Sequence, residues 1–302
     1  MIELDYFLVD VFTERALAGN PLAVVMNTAD LGAEQMQSIA REFNLSETTF
    51  VQRRTLAVEQ AEGVRVRIFT TQEELDFAGH PTLGTAGVLK LFAPECVDNN
   101  TVTLLENVGP IPVRFDAAQG SLFGEMTQPD ARFGPELDRD EVARLCGLSP
   151  EDLDPDAPPQ IVSTGTAFAI VLLSSHEALA RLSVRQQESY AWLRQRGARW
   201  FYVMASSADP SSHQNSAKRW FARMQFNGGE DPATGSAAGC AVGYLVNRKL
   251  VPSNRQFLIR QGVEMGRPSD IFVAATLLDT GVHAIRVAGS TVLVAKGRLF
   301  LP

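Results

Sequence analysis

The sequence has 302 residues, of which 45% are apolar and 21% charged, a composition typical of folded globular proteins that excludes a disordered or collagen-like chain. At about 100–200 residues per domain, this length favours two domains or one large one. The 27 basic and 35 acidic residues give a net charge of −8, so we expect no nucleic-acid partner.

Neither a membrane anchor nor a metal centre is indicated. The longest apolar run, residues 167–173, is far shorter than the ~20 residues of a spanning helix. Acidic residues interrupt the N-terminal segment, so we expect no signal peptide. The cysteines at 96, 146 and 240 form no CxxC pair, and the four histidines form no HxxxH or HxH pair. We therefore expect a cytoplasmic protein with reduced thiols, no metal and no membrane partner.

Short strands and a few helices alternate along the first half. Apolar residues at helical spacing predict a helix over 33–43, and AGHPTLGTAGVLKLF predicts a loop that leads into a buried helix from about 82 to 92. A turn is predicted at 18–21. The predicted strands cover residues 4–12, 21–26, 48–51 and 64–68.

The second half repeats this order. Asp138 and Glu141 form a capping box that predicts a helix to about Cys146, and Ser174 with Glu177 predicts another. SPEDLDPDAPP at 149–159 is the most linker-like segment. Further predictions are a helix over 183–196, a helix that begins near 234, and short strands broken by glycine over 256–301.

Strands outnumber helices, which favours an α+β protein of two similar halves over a doubly wound parallel sheet. HPTLGTA at 80–86 and DPATGSA at 231–237 match at a shift of 151 residues, half the chain length. This match makes an internal duplication plausible, although two unrelated starts of helices rich in small residues would look the same.

The two segments also contain candidate site residues. Small residues at a helix N-terminus leave backbone N–H groups open to an anion, here a carboxylate rather than a dinucleotide, because neither segment is a P-loop or a GxGxxG motif. His80 beside such a terminus is expected to be neutral near pH 7, or else to make a structural hydrogen bond. Asp231 is expected to cap the following helix or to place a carboxylate in the site.

Glu47, in NLSETTFV, stands at the start of an apolar, β-rich run. An apolar environment raises the pKa of a carboxyl group, which suits a proton shuttle, whereas a strand-entry glutamate facing water has no such role. Ser236 lacks a GxSxG motif and a sequential triad, so we interpret it as a hydrogen-bond donor and not a nucleophile.

Five segments stand in order along the chain: VDVFTERALAGNPLAVV at 9–25, EQMQSIAREFNLSETTFV at 34–51, RIFTTQEELDFAGHPTLGTA at 67–86, EDPATGSAAG at 230–239 and QGVEMGRPS at 261–269. Together they resemble the PhzF family, the phenazine-biosynthesis isomerases and their relatives. The resemblance implies the diaminopimelate-epimerase fold, in which two pseudo-symmetric lobes each wrap a bent, mostly antiparallel sheet around a central helix. We expect one lobe from 1–120 plus about 285–302, the other from about 121–284, the active site in the cleft between them, and a homodimer.

The resemblance also implies a chemistry. The best-known member of the family isomerises trans-2,3-dihydro-3-hydroxyanthranilate by moving a proton from ring carbon 3 to ring carbon 1, without cofactor or metal. By the motif match Glu47 is the general acid/base, and His80 and Asp231 complete the expected catalytic set. The expected substrate-binding residues are Asn20, Ser46, Gly79, Thr234, Gly235 and Ser236.

The thiol chemistry of related epimerases is disfavoured. Epimerases of this fold use two cysteines as acid and base, and by the family's motifs those positions correspond to Gly79 and Ser236 here. We therefore expect an isomerase that needs no cofactor and acts on a small metabolite that carries a carboxylate. The alternatives are an epimerase or racemase of an amino or hydroxy acid that uses one carboxylic acid, and a non-catalytic binding protein of the same fold.

Overall fold

The chain divides into two units in a computed structural model. Met1–Thr127 and Ala288–Pro302 form the N-terminal unit, and Gln128–Val287 forms the C-terminal unit. The described residues are 2–116, 122–208, 218–226 and 228–301.

The N-terminal unit is built mainly from antiparallel strand pairs. Its strands are β1 (Ile2–Val11), β2 (Asn20–Val25), β3 (Thr48–Gln52), β4 (Val64–Phe69), β5 (Glu74–Leu75), β6 (Val97–Asp98), β7 (Thr101–Glu106), β8 (Gly109–Phe115), β9 (Leu122–Gln128) and the end of β19 (Gly281–Leu301). Its helices are α1 (Ala33–Phe43), α2 (Leu56–Glu62) and α3 (Gly79–Phe92). β1 pairs antiparallel with β2 and β19, whereas β2 with β3 and β4 with β7 are parallel pairs.

The central helix of this unit is α3. Every residue from Gly79 to Leu89 is buried, and the helix contacts β1, β2, β3, β7 and β8. Its sequence is apolar or small on all sides, which is typical of a helix surrounded by other elements. Gly84 permits this packing, because a Cβ there would lie 2.6 Å from Cδ2 of Leu22.

The outer helix α1 confirms the prediction for 33–43. Its apolar stripe, Met36, Ile39 and Ala40, packs in one cluster with Leu4 and Phe50 from the strands. By contrast, α2 was not predicted, because its seven residues LAVEQAE contain too few apolar positions to show a helical period.

The C-terminal unit follows the same plan. Its strands are β10 (Arg132–Glu136), β11 (Gln160–Ser163), β12 (Ala167–Leu173), β13 (Trp200–Ala208), β14 (Lys218–Arg223), β15 (Gln225–Phe226), β16 (Gly229–Glu230), β17 (Phe257–Gln261), β18 (Ser269–Leu278) and the start of β19. Its helices are α4 (Arg139–Cys146), α5 (His176–Ala180), α6 (Gln186–Arg194) and α7 (Gly235–Asn247). The main strand order is β10-β11-β12-β13-β14-β17-β18, with parallel pairs only at β12–β13 and β14–β17 among these.

Helices cover the sheet of this unit on both faces. The buried central helix α7 contacts β11, β12 and β18, while α4, α5 and α6 pack in one cluster with Ala169, Val171 and Leu173 of β12. Since both faces of β12 are buried, the strand is the uninterrupted apolar run AFAIVLL. Both units thus place mostly antiparallel strands around one buried helix, as predicted.

Several local expectations need correction. The central helix begins at Gly79, so His80 lies in its first turn and not in a loop. The two central helices start 156 residues apart, at Gly79 and Gly235, so the shift of 151 was wrong. The cap of α5 is Ser175, whose hydroxyl accepts from Ala178 N, and not Ser174.

The segment 149–159 is not a linker. It lies within the C-terminal unit, where Arg139 donates to the carbonyl oxygens of Pro150, Leu153 and Asp154. The C-terminal segment is also not made only of short strands, since β18 has 10 residues and β19 has 21.

Candidate active site

Three predicted site residues lie together in the N-terminal unit. Asn20 begins β2, Glu47 directly precedes β3, and His80 is the second residue of α3. β2 and β3 are neighbouring parallel strands, so their N-terminal ends lie side by side, and α3 contacts both. We call Asn20, Glu47 and His80 the N-terminal cluster.

Local backbone features place Asn20 and Glu47. Gly19 has a φ of +67°, and a Cβ there would collide with the carbonyl oxygen of Val11, so the turn before Asn20 requires glycine. Asn44 ends α1 in the left-handed conformation, with a φ of 51°, and turns the chain toward Glu47 and β3.

The contacts within the N-terminal cluster determine the state of the histidine. Nδ2 of Asn20 lies 3.1 Å from Nδ1 of His80. With the amide as donor, Nδ1 accepts, and the imidazole carries its proton on Nε2. That Nε2 lies 3.5 Å from Oε2 of Glu47.

An ion pair between His80 and Glu47 would fit the 3.5 Å distance, but the surroundings favour a neutral ring. Only 4% of the His80 side chain and 12% of the Glu47 side chain are exposed. Burial lowers the pKa of His80 to about 3, so the imidazole is neutral near pH 7. The expected neutrality is confirmed, with burial as its cause. The site therefore presents an Nε2–H donor beside a carboxyl group.

A second group of site residues lies in the C-terminal unit. Asp231 is 5% exposed, and its Oδ2 accepts a hydrogen bond of 2.6 Å from Oγ1 of Thr234. Thr234 Oγ1 in turn accepts from Nε2 of Gln261 over 2.9 Å. We call Asp231, Thr234 and Gln261 the C-terminal cluster. The single proton of the Thr234 hydroxyl is donated to Oδ2 of Asp231, and this hydrogen bond fixes the orientation of the Asp231 carboxylate.

Gln261 is the member of this cluster that was not predicted. Its Nε2 also donates to the carbonyl oxygen of Asp231 over 2.8 Å, and its Oε1 accepts from Thr234 N and from the Tyr202 hydroxyl, each over 3.1 Å. The two donor and two acceptor sites of the amide are thus all used. The sequence signal for Gln261 is the dipeptide Gln261-Gly262, which begins QGVEMGRPS, one of the segments that carry the family resemblance.

Gly262, which follows Gln261, allows the backbone at this point to pack closely against the backbone of Pro232 and Arg267. Its φ is +75°, and a Cβ would collide with the carbonyl oxygens of Arg267 and Pro232. The backbone beside Asp231 can approach this closely only because residue 262 is glycine.

The remaining candidates lie at the starts of two helices and in a half-buried loop. Gly79 and Gly235 are the first residues of α3 and α7. Ser236 is the second residue of α7 and is 8% exposed, whereas Ser46 is half-buried beside Glu47. The N-cap of α7 is Thr234, so Asp231 does not cap this helix.

Glu230, which precedes Asp231, has a structural partner. Its carboxylate receives two bonds from Arg223, of 2.9 and 2.7 Å, and Arg223 also donates to the carbonyl oxygens of Leu179 and Ala180. Of the two adjacent acids, Asp231 is therefore the one that can serve a ligand.

The cysteines are thiols at neutral pH. Burial raises the pKa of Cys96 to about 11, of Cys146 to about 12 and of Cys240 to about 11. Cys240 lies 3.5 Å from the Thr164 hydroxyl, within the core of the C-terminal unit. These groups lack the lowered pKa of a catalytic thiolate.

Across the parts of the chain that the structure describes, no three His, Cys, Asp or Glu side chains are grouped so that they could hold a metal ion. Within the same residues, no helix has both the length and the apolar character needed to cross a membrane.

Comparison with known proteins agrees with the fold and identifies the family. A family model described as phenazine biosynthesis-like protein matches residues 9–297. The trans-2,3-dihydro-3-hydroxyanthranilate isomerase of Pseudomonas chlororaphis is 35% identical over 301 residues, covering 98% of this chain and 99% of the relative. These similarities make the protein an enzyme of the isomerase class. The chain belongs to the PhzC-PhzF family.

Solved structures confirm the fold class. A PhzF-family phenazine biosynthesis protein from Bacillus anthracis has a TM-score of 0.85 at 24% identity and covers 100% of both chains. A hydroxyproline epimerase from Agrobacterium vitis has a TM-score of 0.61 at 11% identity, with coverage of 98% of this chain and 92% of the other. The chain therefore has the α+β, epimerase-like architecture that the resemblance implied.

Proposed function

We propose that this isomerase moves a proton between two carbon atoms of a small, carboxylate-bearing metabolite, with Glu47 as the general acid/base and no cofactor. The observation that carries the proposal is the 3.5 Å contact between Glu47 Oε2 and His80 Nε2. It places a carboxyl group beside a neutral N–H donor in a nearly buried setting, where the carboxyl group can exchange a proton with a substrate.

Glu47 accounts for both halves of the transfer. Its carboxylate takes a proton from one carbon, the electron pair of that C–H bond shifts into the adjacent π system, and the same carboxyl returns the proton to a second carbon. The product has the composition of the substrate, so the step needs neither oxidant nor reductant. One side chain suffices because the same carboxyl group takes a proton from the first carbon and gives one to the second, and while it is protonated it can exchange its proton with solvent.

His80 and Asp231 orient the substrate in this proposal. The Nε2–H of a neutral imidazole donates to a substrate oxygen without adding a charge to the site. Asp231, held by Thr234, accepts from a substrate hydroxyl or amino group.

The carboxylate preference is supported by the start of α7. Gly235 and Ser236 are its first residues, and the first N–H groups of a helix lack intrahelical acceptors, so they favour an anion. The substrate in the name of the 35% identical relative is an anthranilate derivative, a ring that bears a carboxylate. We extend only this chemical class to the present chain.

Solvent deuterium uptake tests the proposal. The protein is incubated in D2O with a panel of small unsaturated carboxylates, and mass spectrometry detects a compound that gains deuterium. On that compound, Glu47→Gln should lower kcat by about 10²–10⁴-fold, because the amide cannot shuttle a proton. Ligand Kd should change little, since the amide has nearly the shape of the protonated acid.

Glu42→Gln is the matched control, an exposed glutamate on the preceding helix that should retain full exchange. Near-normal exchange in Glu47→Gln would remove Glu47 from the mechanism. Inversion of a stereocentre without a shifted double bond would instead indicate an epimerase. A compound that binds tightly and gains no deuterium would indicate a binding protein.

A further inference from the structure

A second carboxyl group lies buried in the N-terminal unit. Glu106 is the last residue of β7 and is only 2% exposed. Alternate residues of β7 point to its buried face, and these are Val102, Leu104 and Glu106. Glu106 is therefore an acid on a face whose other residues are apolar. A carboxyl group in such a place is costly to ionise.

The hydrogen bonds around Glu106 are consistent with a single protonation state. Oγ1 of Thr82 lies 2.6 Å from Oε1 of Glu106 and 2.7 Å from the carbonyl oxygen of Ala78. A threonine hydroxyl has one proton, and a carbonyl oxygen only accepts. If Glu106 were ionised, two acceptors would share one donor at two short distances. If Oε1 carries a proton, Glu106 donates to Thr82 and Thr82 donates to Ala78.

The other oxygen of Glu106 supports the protonated form. Within the described residues, Oε2 is buried and has no hydrogen-bond partner. Such an atom costs less as the C=O of a neutral acid than as part of a carboxylate. Burial raises the pKa of Glu106 to about 8, although the Thr82 bond and the positive charge of Arg65 both act to lower it.

Arg65 is the charged group that faces this region from β4, and it does not pair with Glu106. Its guanidinium donates instead to the Leu105 carbonyl oxygen and to Asn107, the residues on either side of Glu106. Arg65 is half-buried between the buried residues Val64 and Val66, so it belongs to the more exposed face of its strand.

We propose that Glu106 is a positioning residue that acts as a neutral carboxylic acid, donating to Thr82 and thereby holding the first turn of α3, which presents His80. The link is short. Ala78 is the N-cap of α3, and its carbonyl oxygen accepts from both the hydroxyl and the backbone N–H of Thr82. His80 lies between these two residues.

Ionisation of Glu106 removes the donor and turns the Thr82 hydroxyl away from Ala78. Because the Asn20–His80 contact depends on the same turn, the His80 ring should respond to a proton lost at Glu106. The protonation state and the ring response rest on the contacts above, while an effect on catalysis rests on the proposed function.

Infrared spectroscopy tests the protonation state without a substrate. At about pH 6 the wild-type protein should show the C=O stretch of a buried carboxylic acid, which disappears by about pH 9.5, above the pKa of about 8. Glu106→Gln should lack this component. Glu59→Gln, which removes a buried acid already paired with Arg53, should retain it. A wild-type spectrum from which Glu106→Gln removes nothing would overturn the proposal.

The ¹⁵N resonances of the His80 ring test the positioning role. They should shift between about pH 6 and pH 9.5 in the wild type and stay fixed in Glu106→Gln, whose amide still donates to Thr82 at both pH values. Thr82→Val should keep the infrared titration and lose the His80 response. If His80 ignores the ionisation of Glu106 in the wild type, the positioning role is refuted, whatever Glu47 proves to do.

Discussion

The side-chain amide of Asn20 lies 3.1 Å from Nδ1 of His80, and this contact decides which imidazole nitrogen carries the proton. With Nδ1 as the acceptor, the Nε2–H points to the side of the ring where Glu47 lies, 3.5 Å away. A residue at the start of a strand thus sets the donor that a substrate would meet.

Asn20→Asp should reverse this arrangement. A carboxylate accepts from Nδ1–H, so the tautomer with a free Nε2 lone pair or the imidazolium becomes favoured. Loss of the correctly placed donor should lower kcat by about 5–150-fold, the equivalent of about 1–3 kcal/mol. Ring ¹⁵N shifts would report the tautomer. Asn27→Asp, an exposed loop change, is the control; unchanged shifts in Asn20→Asp would contradict the assignment.

His80 should make the protein less stable in acid. Its pKa is about 3 in the folded protein and about 6.5 in the unfolded chain, so below pH 6.5 the unfolded chain binds the extra proton. The stability contributed by the neutral ring is present above pH 6.5 and is lost as pH falls toward 3. By about pH 4.5 the loss is about 2–3 kcal/mol, at 1.36 kcal/mol per pKa unit.

Denaturant unfolding of the wild type and His80→Gln at about pH 7 and pH 4.5 checks this sign. The variant should lose less stability on acidification. Equal losses in the two proteins would show that His80 is already protonated in the native state.

Gln261→Glu should impair the C-terminal cluster. The carboxylate keeps the acceptors for Tyr202 and Thr234 N but has no donor for Asp231 O or Thr234 Oγ1, and it adds a negative charge beside Asp231. We expect weaker substrate binding and lower kcat together, as also for Asp231→Asn and His80→Asn, because these residues orient the substrate.

Tyr202→Phe removes one of the four Gln261 bonds and should have a smaller effect than Gln261→Glu. Gln187→Glu, an exposed change in the same unit, should have none. Steady-state kinetics and ligand Kd separate these cases, and wild-type values for Gln261→Glu would refute the positioning role.

Replacement of all three cysteines should preserve catalysis. Their pKa values of about 11 to 12 leave no thiolate at neutral pH, and no step of the proposed mechanism needs one. The cost should fall on stability, at about 1 kcal/mol for the buried Cys240. A folded triple variant without turnover would show that the carboxyl mechanism is wrong.

The sequence predicted best where the determinants are local. Asp138 caps α4 through a bond of 2.8 Å to Glu141 N, three residues away, and the apolar stripe of α1 repeats within one helix. Glu47 and His80 could be proposed as site residues because each lies in a short motif that resembles the family, and their roles stay predictions.

Other features depend on contacts between distant residues. Gln261 lies 30 residues from Asp231, and Glu106 lies 24 residues from Thr82. A short stretch of sequence therefore cannot reveal the hydrogen bond between either pair. The segment 149–159 resembles a linker by composition, yet Arg139, outside it, binds three of its carbonyl groups. Neither residue spacing nor propensity contains this information.

The path of β19 has a consequence for synthesis on the ribosome. Residues 281–287 of this strand belong to the C-terminal unit, whereas residues 288–301 complete the N-terminal unit and pair with β1. β1 therefore emerges before this partner strand, which is translated only after the C-terminal unit. Until β19 has emerged, the N-terminal unit cannot form its native sheet, and one edge of β1 stays unpaired and exposed to chaperones and to aggregation.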